Sequence, residues 1–120
     1  MRLSEIYAAA CGAFLAVGIG AATVQAAEAE AIPEFTQEFL DDATNISAGA
    51  EIWTNQCRHC HGNSAYPGKA PKLKPARYKP EFVYVRVTNG FGKMPGWKDI
   101  FSLEQRMHVV AYVLSSEFSP

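Results

Sequence analysis

Cys57-Arg58-His59-Cys60-His61 is the stretch from which the rest of this chain is read. Two cysteines separated by two residues and followed at once by a histidine form the attachment sequence for a c-type haem. The two thiols add across the haem vinyl groups, and the next residue offers an imidazole to the iron. Paired cysteines also serve two other chemistries. A structural zinc site needs four ligands, usually a second Cys or His pair at metal-binding spacing, and only His108 lies downstream. A thioredoxin-type redox pair needs a βαβ setting, and no such pattern surrounds this one. Haem attachment is the reading that the residues support. His61 is then the ligand on the near side of the iron. His59, between the cysteines, points away from it, and His108 is read as a helix residue and not a ligand.

The surrounding sequence reads as helices joined by breakers. Residues 47–60 predict a helix capped by Ser47, with Ala50, Trp53 and Cys57 along one face at spacings of three and four. It runs into the haem motif. Gly62, Pro67, Gly68, Pro71, Pro75 and Pro80 make residues 62–80 a loop. Residues 81–89 alternate like a strand, but Pro80 suits a first helical turn and Gly90 a helix stop, so a helix is expected. Its apolar set is Phe82, Val83 and Val87. After a second loop, Ser102-Leu103-Glu104-Gln105 is a capping box. It opens a helix over 103–116 with a core stripe of Met107, Val110, Ala111 and Leu114.

The far side of the iron needs a ligand from a loop. Met94 is the candidate: it follows Lys93, precedes Pro95 and belongs to no apolar stripe. A thioether there favours ferrous over ferric iron and fills the sixth position, which suits electron transfer over oxygen or peroxide chemistry. Met107 is better explained by packing. Trp97, Tyr78 and Arg77 are candidates to meet the haem propionates.

The chain begins with an almost wholly apolar stretch from Ile6 to Ala27, and Val24-Gln25-Ala26 offers small residues for cleavage. Residues 1–26 are expected to be a secretory signal, the alternative being an uncleaved anchor. Removal of Cys11 with the signal and use of Cys57 and Cys60 leave no thiol for a disulfide. The remaining domain is small enough to need a staple, which the haem would supply. Export with a bacterial-type signal points to the periplasm. The formal net charge is −1, but it is segregated. Residues 27–46 form an acidic leader, a candidate docking arm in which 34–41 can form a short helix. Between Arg58 and Lys98 nine positive residues face Glu81 alone, which suggests a basic rim that steers an acidic partner. Export and near-neutral charge argue against nucleic acid.

With the motif, the methionine loop and a terminal helix in this order, the chain resembles the class I cytochromes c over residues 47–116. Gly49 to Cys57 resembles the family's glycine and aromatic on the first helix, and Val109-Val110-Ala111-Tyr112 the part of the terminal helix that crosses it. Asn89-Gly90-Phe91-Gly92-Lys93-Met94-Pro95 resembles the bacterial methionine loop. Pro71 and Leu73 resemble a Pro-x-Leu whose proline carbonyl orients the imidazole of His61, although Ala70 stands where the family often has glycine. The resemblance implies an all-α class I cytochrome c fold, three to four helices wrapped around one covalent haem c, in a domain spanning 47–120. It implies thioethers at Cys57 and Cys60, axial ligands at His61 and Met94, and no catalytic residue. The expected function is a one-electron shuttle between a dehydrogenase or respiratory complex and a terminal acceptor. Two alternatives are a haem-bearing subunit of a periplasmic oxidoreductase and a haem sensor or peroxidase-like protein. Partners would be redox proteins, with membrane contact only if the N-terminal segment is retained.

Overall fold

The computed structural model describes residues 30–63 and 68–118. The expected signal segment, its cleavage site and Cys11 lie outside them. Among the described residues the regular structure is helical: α1 (Gln37–Asp41), α2 (Ala43–Ile52), a π-helical turn (Trp53–Cys57), α3 (Arg58–His61), a 3-10 turn (Pro75–Arg77), α4 (Pro80–Asn89) and α5 (Leu103–Leu114).

The core forms where α2, α4 and α5 meet. It contains Trp53, Val83, Tyr84, Val87, Val109, Val110, Val113 and Phe118. The α2–α5 crossing is its tightest point. A Cβ on Gly49 would stand 2.0 Å from the His108 carbonyl oxygen and 2.8 Å from Tyr112 Cβ. Only a residue without a side chain lets the two backbones approach this closely.

Several expected boundaries move. The first long helix starts at Ala43, inside the leader, because Asp42 and not Ser47 caps it: Asp42 Oδ1 accepts from the N–H groups of Thr44 (2.9 Å) and Asn45 (3.0 Å). The short leader helix starts at Gln37, capped by Thr36. The leader lies against the domain: Phe35 meets Tyr84 edge-on, Phe39 stacks on His108, and Asn45 Nδ2 donates to the Phe39 carbonyl. Helix α4 runs from Pro80 to a Gly90 with φ of 73°, as its flanking residues predict. Its buried face is Val83, Tyr84, Val87 and Thr88. Phe82, one residue and about 100° around the helix from Val83, is 45% exposed. The stripe of α5 is likewise rotated. Arg106, Val109, Val110, Ala111 and Val113 are buried, while Met107 and Leu114 pack at its edge. The capping box forms as read, Gln105 N donating to Ser102 Oγ (3.1 Å) and Ser102 N to Gln105 Oε1 (2.9 Å).

Candidate haem site

The helical run reaches the cysteines through a π turn, in which the Arg58 N–H donates to the Trp53 carbonyl five residues back. Such a turn inserts about one extra residue and rotates the haem motif against the α-helical register of α2. Trp53 stays 3% exposed, while Cys57 is half-buried, Cys60 is exposed, and both are free thiols. Burial, with a smaller contribution from Cys60, pushes the Cys57 thiol up to about 11.

His61 ends α3 one residue after Cys60. Its ring lies 5.5 Å from that of Trp53, and the Trp53 indole N–H donates to the Gly62 carbonyl at 3.0 Å. One aromatic residue therefore touches the imidazole and ties down the residue after it. Trp53 is seated in turn by Phe118, edge-on at 4.6 Å, and by Tyr112. His61 Nδ1 is buried without a hydrogen-bond partner. Burial lowers the imidazole pKa and so favours the neutral ring, the form that binds a metal. The Pro71 carbonyl does not make the orienting bond here, and Pro71 remains a proposed contact. Its neighbour Ala70 is anchored to the motif, the Ala70 N–H donating to the Cys60 carbonyl at 2.8 Å.

Met94 is half-buried and packs against the core. Its loop is a tight fold of backbone. Phe91 and Met94 exchange two N–H···O bonds of 3.0 Å, and Trp97 N and Lys98 N reach back to the Val87 (3.0 Å) and Thr88 (3.2 Å) carbonyls of α4. Gly90 makes the turn: a Cβ there would lie 2.3 Å from the Met94 carbonyl oxygen, and its φ is in the left-handed region. Two free thiols on one helical stretch, an imidazole whose buried Nδ1 lacks a partner, and a thioether on a separately anchored loop fit a covalently held haem.

The other sequence candidates lie elsewhere. His59 is exposed, with a ring nitrogen 3.2 Å from the Asn55 carbonyl. His108 stacks on Phe39 and lies 3.9 Å from Glu104. The Tyr78 hydroxyl accepts from Lys74 N, Trp97 stacks on Phe101, and Arg77 lines an open cleft with Tyr78, Lys79, Glu81 and Phe82. Sequence reasoning missed the buried polar group formed by Arg106, Thr88, Tyr84 and Glu30. A signal was available: Arg106 falls at helical spacing with Val109, Val110 and Val113, which places a charge on the core stripe. It also missed an outward patch in which the Arg86 guanidinium lies 3.9 Å from the Phe91 ring and 5.1 Å from that of Phe82. Phe91 is 68% exposed.

Among the described residues no helix is long and apolar enough to cross a membrane. A family model described as cytochrome c oxidase, cbb3-type, subunit III matches residues 44–113. Cytochrome c6 of Euglena viridis is 30% identical over 82 residues, 61% of this chain and 94% of that protein. The cbb3-type cytochrome c oxidase subunit FixP of Sinorhizobium medicae (strain WSM419) is 25% identical, over 87% of this chain but 44% of the relative. Two solved structures share the fold. A c-type cytochrome NirC has a TM-score of 0.52 at 24% identity, covering 66% of this chain and 99% of that one. Cytochrome CL from Methylophaga aminisulfidivorans MPT has a TM-score of 0.55 at 20% identity, covering 68% and 66%.

Proposed function

We propose, from the premise that this chain belongs to the class I c-type cytochromes of the cbb3-type subunit III family, that it is a periplasmic carrier of single electrons. It would take them from a dehydrogenase or respiratory complex and pass them to a terminal acceptor. The observation that carries this reading is the pairing of free Cys57 and Cys60 with a His61 whose Nδ1 is buried without a partner. A bound haem c supplies iron that alternates between the ferrous and ferric states. Cys57 and Cys60 would hold its edge as thioethers. His61 would offer Nε2 from a ring seated by Trp53, and in the haem-loaded protein the Pro71 carbonyl would take up the Nδ1 that has no partner here. Met94 would offer its sulfur from the opposite loop, favour the reduced state and block small ligands. The apolar faces of α4 and α5 would keep water out, which further tunes the potential.

The surface supports a protein partner. Arg86, Phe82 and Phe91 make a cationic aromatic patch, beside positive residues on either side of α4. Such a patch would steer an acidic redox partner and then bury apolar area against it. A second reading, the electron-transfer subunit of a larger oxidoreductase, is favoured by the matching family model and by FixP. Co-purification of a catalytic subunit from the native host would decide for it. The carrier reading itself is tested by adding carbon monoxide to the reduced protein at neutral pH. Little or no binding is expected with Met94 in place. Rapid binding would mean an open iron position and would favour a sensor or peroxidase-like role.

A further inference from the structure

Arg106 is 2% exposed, and a buried guanidinium is tolerated only when its donors are used and its charge is balanced. Each of the three nitrogens of this one has a partner. Nε donates to the Ser102 carbonyl at 3.2 Å, Nη1 to Thr88 Oγ1 at 3.0 Å, and Nη2 to Glu30 Oε1 at 2.7 Å. The guanidinium also lies 5.3 Å from the Tyr84 ring, and the Tyr84 hydroxyl donates to the same Glu30 oxygen.

The placement of these partners has a consequence for the Met94 loop. Thr88 is in the last turn of α4 and Ser102 is the cap of α5, so they flank the loop on its two sides. Thr88 also accepts the Lys98 N–H on its carbonyl. One guanidinium therefore joins both ends of the segment that presents Met94. Its counter-charge comes from Glu30, in the leader.

We infer that Glu30 is a positioning residue for Met94, acting through an Arg106 clamp on the two ends of the methionine loop. This rests on the reading of Met94 as an iron ligand. Without the carboxylate, Arg106 loses its balancing charge, is drawn toward water and releases Thr88, while the Ser102 carbonyl keeps only the Arg106 backbone N–H (3.1 Å). The loop then opens more often, with the global fold still in place.

The test uses the haem-loaded ferric protein and free imidazole, which competes with Met94 for iron whenever the loop opens. Glu30→Gln and Thr88→Val should each tighten the apparent imidazole affinity by about five-fold or more, the size of shift that residues remote from a site produce. The double variant should go no further than the stronger single, because both act through one guanidinium. Val113→Ala, in the core away from the clamp, should lower denaturant stability but leave imidazole affinity within about two-fold. Should Glu30→Gln fail to mature, Thr88→Val carries the same comparison. Affinity unchanged in Glu30→Gln, or effects that multiply in the double variant, would overturn the clamp. A wild-type ferric protein with no thioether–iron charge-transfer band would instead overturn Met94 ligation, and the clamp with it.

Discussion

On the His61 side, two helices cross where Gly49 meets the His108 backbone, and Trp53, 3% exposed, wedges between the imidazole and Phe118. On the Met94 side, a loop is held to α4 by backbone bonds at Trp97 and Lys98 and carries Phe91, 68% exposed. The first side is fixed by close packing of apolar surface, the second by a few hydrogen bonds and one buried cation. Loops held in this second way open locally at less cost than the core. The two proposed ligands should therefore fail separately, Met94 before His61.

The sharpest way to break this contrast is Trp53→Ala. Loss of a buried indole from a packed core costs about 3–5 kcal/mol, so urea titration should show a large drop in global stability, with His61 disordered along with the rest. A drop no larger than that of a surface variant would mean that the helix crossing does not depend on Trp53. Gly90→Ala comes next. A side chain at positive φ costs about 1–2 kcal/mol, and here its Cβ would press on the Met94 carbonyl. The ferric charge-transfer band of the thioether should weaken while helical circular dichroism is largely kept; loss of both together would make loop and core one unit. Ser102→Ala removes half of the capping box and should cost about 1 kcal/mol, read as a lower thermal midpoint.

A smaller effect is expected from pH. Hydrogen bonds from Tyr84 and then Arg106 hold the Glu30 carboxyl below its ordinary value of 4.5. A carboxyl depressed in the fold stabilises it fully above the unfolded value, and that contribution is lost as pH falls through the folded value. Acid titration of the wild type should therefore show stability falling below about pH 4.5. The same curve in Glu30→Gln should be flatter over that window. Parallel curves would mean that the leader carboxylate contributes nothing to the fold.

Much of this arrangement is legible in the residues. Pro80 and Gly90 resolve a strand-like alternation into α4 because they specify a helical start and a left-handed stop, whatever the pattern between them. Ser102 and Gln105 do the same for α5. The start of α2 is less readable. Ser47 and Asp42 are both good caps, and only the bonds that Asp42 Oδ1 accepts from the Thr44 and Asn45 N–H groups show which one the chain uses. The orientations of α4 and α5 differ from expectation by about one position, because exposed Phe82 and half-buried Met107 look like core in a helical projection. Glu30 and Arg106 lie 76 positions apart, and no local rule pairs them. The π turn over Trp53–Cys57 has no residue signature either.

The central claim is that Cys57 and Cys60 carry a haem as thioethers. Intact mass spectrometry of the protein, matured with a haem-attachment system and extracted with acid acetone, tests it most directly. The expected mass is that of the polypeptide plus a single haem, reduced to polypeptide alone in the double variant Cys57→Ala, Cys60→Ala. A wild-type mass equal to the bare polypeptide would contradict the account.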